Sequence, residues 1–448
     1  MRSLVKRWLP QGGFARNVSL LAGATALSQA CAVLAAPLLT RMYSVENFGC
    51  FQIYMSVMAF GALAITLRYE QAILLPERDE VAASLFVLVF CVVGVLAIGF
   101  IFVEWLVSHY NLLPRNLRAL NPYLWIVPLG MCGAGVYQAL NFWALRLKAY
   151  RRVSATNVTQ VFTQLAAQIG IGVFHSGPLG LLLGDAIGRG GGSLSLANLS
   201  WRESWNEVRK VRFQAIWTSA LRYRNFPLFS AGAALLGAAS GALAPLLIAQ
   251  FYGLKILGWY AIGDRVLGVP TILIGKAVSQ VYSVEAAGRN LSDPVALQSL
   301  FVRSVKRLLL LGIVPFFIFV IFAPALFGFV FGPAWREAGV YARLLATTQY
   351  IAFIVWPLSP TLNLLERQSL QLAWDSGRLL LAVGSLFLAH RLGYSARGAI
   401  AAFGVAMGIG YAAYLFISYR AISERVRQFR LAKLEQHLVA QYAELAES

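Results

Sequence analysis

Apolar residues run through this chain in long unbroken stretches instead of alternating with polar ones. A helix of about 20 apolar residues crosses the hydrocarbon core of a bilayer. Twelve stretches meet that length: Val18–Leu39, Phe48–Leu67, Ala82–Val103, Pro122–Leu145, Val153–Val173, Leu179–Leu199, Phe226–Ala249, Ile256–Tyr282, Leu308–Phe331, Val340–Leu362, Leu370–Ala389 and Gly398–Ile417. The strands of a membrane barrel alternate polar and apolar positions, and these runs do not. Helices are the other way to satisfy every backbone donor and acceptor in lipid. The pattern therefore predicts an all-α polytopic membrane protein of about twelve transmembrane helices. Arg2, Lys6, Arg7 and Arg16 precede the first run as they would in a signal peptide. That run is too long for one and eleven more follow, so it reads as an uncleaved first helix.

Composition agrees. Of 448 residues, 58% are hydrophobic and 13% charged, against about 25% charged in a soluble domain, and the mean hydropathy is +0.65. The net charge of +19 would suggest nucleic acid, but its distribution points elsewhere. With a cytoplasmic N-terminus, 26 of the 38 Lys and Arg fall on inner segments and eight on outer ones, while Arg189, Arg265, Lys276 and Arg378 fall within spans. This asymmetry places both termini inside. The basic excess then serves topology and attraction to anionic membrane lipids, and no nucleic-acid partner is expected. The four cysteines and four histidines are scattered without metal-ligand spacing, so no metal is expected. No phosphate loop, nucleophile elbow or zinc motif occurs. No cofactor is expected.

The chain divides into a cytoplasmic N-terminus (1–17), six spans (18–199), a cytoplasmic linker (200–225), six further spans (226–417) and a cytoplasmic amphipathic helix (418–448). An internal echo supports the division. APLL closes the first span at Ala36–Leu39 with Phe48-Gly49 and Phe51 opening the second, and APLL recurs at Ala244–Leu247 before Leu257-Gly258 and Tyr260. Six spans repeated in the same orientation predict parallel repeats about an axis along the membrane normal, with a site between the halves. Pro37 and Pro245 occupy equivalent helices and suit packing, curvature or bending. At the C-terminus Ile422, Val426, Phe429, Leu434, Leu438, Tyr442 and Leu445 recur at helical spacing among charged residues, predicting a helix on the inner leaflet or on a partner.

The groups that carry chemistry are the charges at membrane depth, which cost a few kcal/mol to insert and so mark interiors, cavities or ion pathways. Asp185 and Arg189 lie four residues apart on one helix face, and Asp375 and Arg378 three apart, as local ion pairs or as parts of a site. In the eighth span Arg265 and Lys276 share nearly one face, and Asp264 is turned toward a neighbouring helix. Lys276 lies near enough to the inner end to snorkel to the headgroups. Together these residues predict a polar, net cationic interior, and a guanidinium suits phosphate because its fork bonds bidentately and stays protonated. The substrate expected is an anion. Each membrane Asp has an Arg beside it or within four residues, which argues against a carboxylate with raised pKa poised for enzymatic acid–base work.

Several motifs carry a family resemblance. A small-residue first helix ends in P-x-L-T-R (Pro37, Leu39, Thr40, Arg41). A Tyr and an E-x-F-G turn follow (Tyr43, Glu46, Phe48, Gly49), and R-Y-E-x-A-I closes the second span (Arg68, Tyr69, Glu70, Ala72, Ile73). Further matches are LRLKAYRR after the fourth span, GPLGLLLGDAIGR in the sixth and LGWYAIGDRVLGVPTILIGKAVSQVYSVEAA in the eighth. This pattern resembles the oligosaccharide-flippase type of polysaccharide biosynthesis protein, the Wzx-like O-antigen and exopolysaccharide transporters of the multidrug/oligosaccharidyl-lipid/polysaccharide (MOP) superfamily. The resemblance covers roughly the first three hundred residues well and the rest by hydropathy. It implies two six-helix lobes like those of MATE transporters and an internal cavity. It also implies alternating access that flips an undecaprenyl-pyrophosphate-linked oligosaccharide across a bacterial inner membrane, often coupled to an ion.

The expected protein is thus a flippase for O-antigen, exopolysaccharide or capsule biosynthesis and not an enzyme. Arg265, Arg189, Arg378 and Lys276 are the expected substrate ligands. Asp264, Asp185 and Asp375 would tune them or take a coupling proton or sodium ion, and Pro37, Arg41, Arg68 and Glu70 are the motif residues. The expected partners are the lipid-linked oligosaccharide, membrane lipids, and polysaccharide polymerase and chain-length proteins. The alternatives are an ion-coupled small-molecule or drug antiporter of the same superfamily, a membrane glycosyltransferase using Glu104 or Glu337, and a membrane component of a glycan-assembly complex.

Overall fold

The computed structural model describes residues 13–175 and 177–447, so residues 1–12 of the predicted N-terminal segment lie outside the described residues. Among them there are helices and no strands. The long helices of the first half are α1 (Gly13–Met42), α2 (Val45–Ala64), α3 (Asp79–His109), α4 (Ile126–Arg146), α5 (Tyr150–Phe174), α6 (Leu179–Gly190), α7 (Ser193–Arg209) and α8 (Phe213–Arg222). Those of the second are α9 (Ala231–Tyr252), α10 (Leu254–Pro270), α11 (Lys276–Ser292), α12 (Pro294–Phe331), α13 (Arg336–Leu358), α14 (Gln368–Arg391) and α15 (Ala396–Glu447).

Every predicted stretch falls on helix, but eight helices among the described residues, not twelve, are long and apolar enough to cross a membrane. The fourth and fifth stretches carry amides such as Gln138, Gln160, Gln164 and Gln168. The sixth is not one helix: α6 ends at Gly190, and Gly192 with φ 80 starts α7, a conformation open to glycine at little steric cost. The eighth changes to a π-turn at Thr271–Gly275 directly after Pro270, and a second π-turn, Phe226–Ser230, contains Pro227. Proline removes one backbone donor, and the local widening re-routes the ladder around it. The π-turn also breaks the common face expected for Arg265 and Lys276. The E-x-F-G segment is the first turn of α2, capped by Ser44, whose side chain accepts from the Asn47 N–H. The linker is helical, formed by α7 and α8, and the C-terminal amphipathic segment continues the twelfth span as one helix, α15.

The chain forms two compact units: one up to Ile262 together with Phe327–Ala338, the other Gly263–Leu326 and Gly339 onward. The border falls inside α10, so the first unit contains the start of the second repeat. That start meets the first repeat reciprocally. A Cβ on Gly49 of α2 would collide with the Leu254 carbonyl, and a Cβ on Gly258 of α10 would collide with the Val45 carbonyl. In the internal echo Gly49 corresponds to Gly258 and Val45 to Leu254, so each glycine admits the backbone of its counterpart helix. Trp335, buried in the Pro333–Trp335 turn, donates its indole N–H to the Thr40 carbonyl at 3.0 Å and meets Phe48 edge-on. Trp259 donates to the Ala334 carbonyl at 2.9 Å, tying the same turn to α10.

In the second unit α14 packs along α15. Its core holds Tyr282, Leu297, Phe301, Leu358 and Ile422, and the Tyr282 hydroxyl bonds the Thr361 hydroxyl at 2.8 Å.

Candidate functional site

In the first unit the site grows from the crossing of α5 and α6. Gly180, Gly184 and Gly188 recur every four residues along α6, and a Cβ on any of them would strike α5 or the Tyr43 hydroxyl. Small residues at this spacing let two membrane helices approach at backbone distance. The facing stripe of α5 is Gln160, Gln164 and Gln168, also four apart. Gln168 Nε2 donates to the Leu181 carbonyl at 3.2 Å, Gln164 Nε2 to Asp185 Oδ1 at 3.5 Å and Gln160 Nε2 to the Arg189 carbonyl at 2.9 Å. Each step of four back along α5 matches four forward along α6, so the antiparallel pair is zipped by amides. An unpaired amide or carbonyl in lipid costs several kcal/mol, and this ladder removes that cost.

The zipper carries the predicted pair. Arg189 Nε donates to Asp185 Oδ2 at 2.5 Å, with the carboxylate side chain 7% exposed and the guanidinium 25%. Arg189 also touches the Met55 sulfur of α2 at 3.6 Å. Both charges line a cavity of about 280 Å³ with Tyr137, Gln138, Gln160 and Gln164. Tyr137 donates to Asn157 Oδ1 at 2.9 Å, and Gln138 Nε2 to the Ala62 carbonyl at 3.0 Å. The wall is therefore fixed by bonds between helices, and Arg189 is the cation exposed to the cavity.

In the second unit Asp264 of α10 is half-buried and accepts from Gln349 Nε2 of α13 at 2.6 Å. It meets a neighbouring helix, as its rotation from Arg265 predicts, through an uncharged amide. Gln349 also lines an apolar cavity of about 170 Å³ with Pro270, Thr271, Phe316, Tyr350 and Phe353. On α14, Arg378 pairs with Asp375 at 3.4 Å and lies 4.8 Å from the Trp374 ring centroid. Gln371 Nε2 donates to Asp375 Oδ2 at 3.0 Å, Trp374 donates to the Gly410 carbonyl at 2.8 Å, and the Tyr411 hydroxyl lies beside Arg378. Arg265 and Lys276 are both exposed.

The motif residues lie apart from these clusters. Pro37 is inside α1 and its carbonyl accepts from the Thr40 hydroxyl at 3.1 Å; Arg41 is exposed. Arg68 has φ 64 and starts the short helix Tyr69–Ala72, and Glu70 within it is 1% exposed. Burial pushes the Glu70 carboxyl above its ordinary value, opposed by the Thr66 hydroxyl and the Arg68 charge. The following segment is pinned by Arg146, which donates to the carbonyls of Ile73, Pro76 and Glu77 and pairs with Asp79 at 2.8 Å.

Sequence reading found both ion pairs and missed their surroundings: the α5 glutamine ladder, Gln349, Trp374, Tyr411 and Arg146. The ladder had a signal in the amides at 160, 164 and 168 facing glycines at 180, 184 and 188. Gln349 had none, because its partner lies 85 residues away in sequence.

Comparison with known proteins places this geometry. The chain is 26% identical over 169 residues to the teichuronic acid biosynthesis protein TuaB of Bacillus subtilis (strain 168), a match spanning 38% of this chain and 35% of that protein. Its fold is similar to an inward-facing multidrug resistance MATE family transporter of the MOP superfamily. The TM-score is 0.67 at 13% identity, with 90% of this chain and 99% of that one covered. It is likewise similar to the lipid II flippase MurJ in an inward closed conformation, with TM-score 0.66 at 12% identity and coverage of 94% and 92%. These likenesses show a shared fold, a bundle of long helices of which eight among the described residues can cross a membrane. A family model described as polysaccharide biosynthesis protein matches residues 38–340, more than half of the chain, so the protein belongs to the polysaccharide biosynthesis protein family.

Proposed function

We propose that this protein is a flippase that moves an undecaprenyl-pyrophosphate-linked oligosaccharide across the bacterial inner membrane by alternating access, with both termini cytoplasmic. The observation that carries the reading is Arg189, a guanidinium within the helical bundle of the first unit that is exposed to a polar cavity, in a chain of the polysaccharide biosynthesis family. Arg189 and Arg265 supply bidentate donors for a pyrophosphate or an acidic sugar. Arg378 and Lys276 add positive charge. Asp264 is the coupling carboxylate: its partner is a neutral amide, so a proton or sodium ion can neutralise it without displacing a salt bridge. Asp185 and Asp375 hold their arginines in place. Polymerase and chain-length proteins are the partners that would receive the flipped product.

The test is leaflet transfer of a labelled lipid-linked oligosaccharide in proteoliposomes holding the full chain. Arg265→Ala should abolish transfer and Arg265→Lys should retain part of it, and Asp264→Asn should remove any dependence on an imposed ion gradient. Full transfer by both Arg265 variants, with normal reconstitution, overturns the role of that residue. Ion-coupled exchange of a small cationic drug with no glycan transfer would favour the antiporter, which shares this fold. Absence of both activities, with glycan export in cells intact in every charge variant, would favour a component of an assembly complex.

A further inference from the structure

A second cavity, of about 660 Å³, lies in the first unit between the start of α3 and the linker helices α7 and α8. Its charged lining is Arg78, Glu80, Glu207, Lys210, Arg212 and Arg222. Arg78 pairs with Glu80 at 2.7 Å and Lys210 with Glu207 at 3.4 Å. Among the described residues no acid pairs with Arg212 or Arg222, so two guanidiniums face this space with positive charge to spare. The α3 side of the cavity, Arg78 to Ser84, follows a segment that Arg146 clamps through the carbonyls of Ile73, Pro76 and Glu77 and the Asp79 carboxylate.

The depth of the cavity follows from α8. Phe213, Trp217 and Leu221, four residues apart, are 78%, 60% and 51% exposed and form one apolar edge. Thr218, Ser219 and Arg222 on the opposite side line the cavity. The Tyr69 hydroxyl holds the helix through the Ala220 carbonyl at 3.1 Å. A short helix with an aromatic edge and a polar, cationic face lies in the plane of the membrane interface, its apolar edge at the boundary of the acyl chains. The opposite face, and the cavity it walls, then sit at the level of the headgroups. Cations at that level on the inner side attract anionic lipid.

We infer that this cavity binds the phosphoryl headgroup of an anionic phospholipid, with Arg212 and Arg222 as its ligands and the Phe213–Trp217–Leu221 edge beside its acyl chains. The lipid ties the linker helices to the start of α3, and the site is separate from the α5–α6 cavity. The inference rests on the membrane fold and not on the transported substrate, so loss of flipping would not count against it.

The full chain in mild detergent is titrated with phosphatidylglycerol, with phosphatidylcholine of the same chain length and with inorganic phosphate, and bound lipid is read by native mass spectrometry. Wild type should prefer phosphatidylglycerol. The double variant Arg212→Gln/Arg222→Gln should lower that affinity by about ten-fold or more and leave phosphatidylcholine unchanged. Arg212→Lys/Arg222→Lys should keep the preference, since the charge remains. Trp217→Ala should weaken both lipids without altering their ratio. Arg427→Gln/Arg430→Gln, which removes two cations on α15, is the control for general charge. Unchanged phosphatidylglycerol binding in the double Gln variant overturns the site. Equal loss in the α15 control does the same, and inorganic phosphate matching the lipid in affinity overturns the lipid assignment.

Discussion

The two units hold the carboxylates within their helices in different ways. In the first, Asp185 and Arg189 lie on one helix, 2.5 Å apart, inside a zipper where the glycines of α6 meet α5 at close approach and the glutamines of α5 bond across to α6. In the second, Asp264 has an amide for a partner, and Asp375 and Arg378 are looser at 3.4 Å, with Asp375 more exposed than Asp185 and Trp374 as a platform. The internal echo sharpens the contrast. The position in the first repeat that corresponds to Asp264 is Met55, which touches Arg189 instead. A neutral, interlocked pair holds a cation still at a cavity wall. A carboxylate held by an amide can change its charge with little rearrangement. The proposed flippase reading assigns recognition to the first arrangement and coupling to the second.

The largest expected effect tests the locked pair. Arg189→Met strands the Asp185 carboxylate and should cost about 3–5 kcal/mol of stability, read as a large fall in thermal unfolding temperature of the detergent-solubilised protein. Asp185→Asn/Arg189→Gln should recover most of it. A stable single variant would mean that the pair is not locked.

Next, Gly184→Ala places a methyl 2.8 Å from the Gln168 backbone nitrogen and should cost about 1–3 kcal/mol by overpacking. Gly377→Ala on α14, where a Cβ meets nothing within 4 Å, should instead gain up to about 0.5–1 kcal/mol from helix propensity. Equal effects on unfolding temperature would erase the packing difference between the units. Smaller again, Arg378→Lys keeps the charge and loses the flat stacking on Trp374, for a cost of about 0.5–2 kcal/mol. A double-mutant cycle with Trp374→Leu reads that coupling directly.

The smallest effect concerns another buried carboxylate, Glu70, outside the spans and without a salt bridge among the described residues. Burial raises its pKa, so the folded state holds the proton more tightly than the unfolded chain does. Stability therefore falls as pH rises from the ordinary glutamate value through the raised one. Glu70→Gln should flatten that decline above the ordinary glutamate range and leave the variant more stable than wild type once the wild-type carboxyl is ionised. A steeper decline in the variant would reverse the sign and show that the charged form is the one the fold stabilises.

Much of this was legible beforehand. The helical class follows from run length and apolarity alone, because lipid offers the backbone no other partner than itself. The ion pairs Asp185–Arg189 and Asp375–Arg378 are legible because residues three or four apart on a helix must share a face. The break in the sixth span was harder, since Gly190, Gly191 and Gly192 read equally well as close packing.

By itself the sequence determined which segments are apolar helix, which charges neighbour each other along a helix, and that the chain echoes itself near its midpoint. Only the tertiary structure decided that Gln349 meets Asp264, that Trp335 bridges to Thr40, that Gly49 and Gly258 exchange contacts, and that α8 walls a cationic cavity. The physical reason is range. Backbone geometry fixes neighbours within a turn or two, whereas contacts between helices depend on which faces close against each other, and apolar helices in lipid leave that choice to a few small residues and amides.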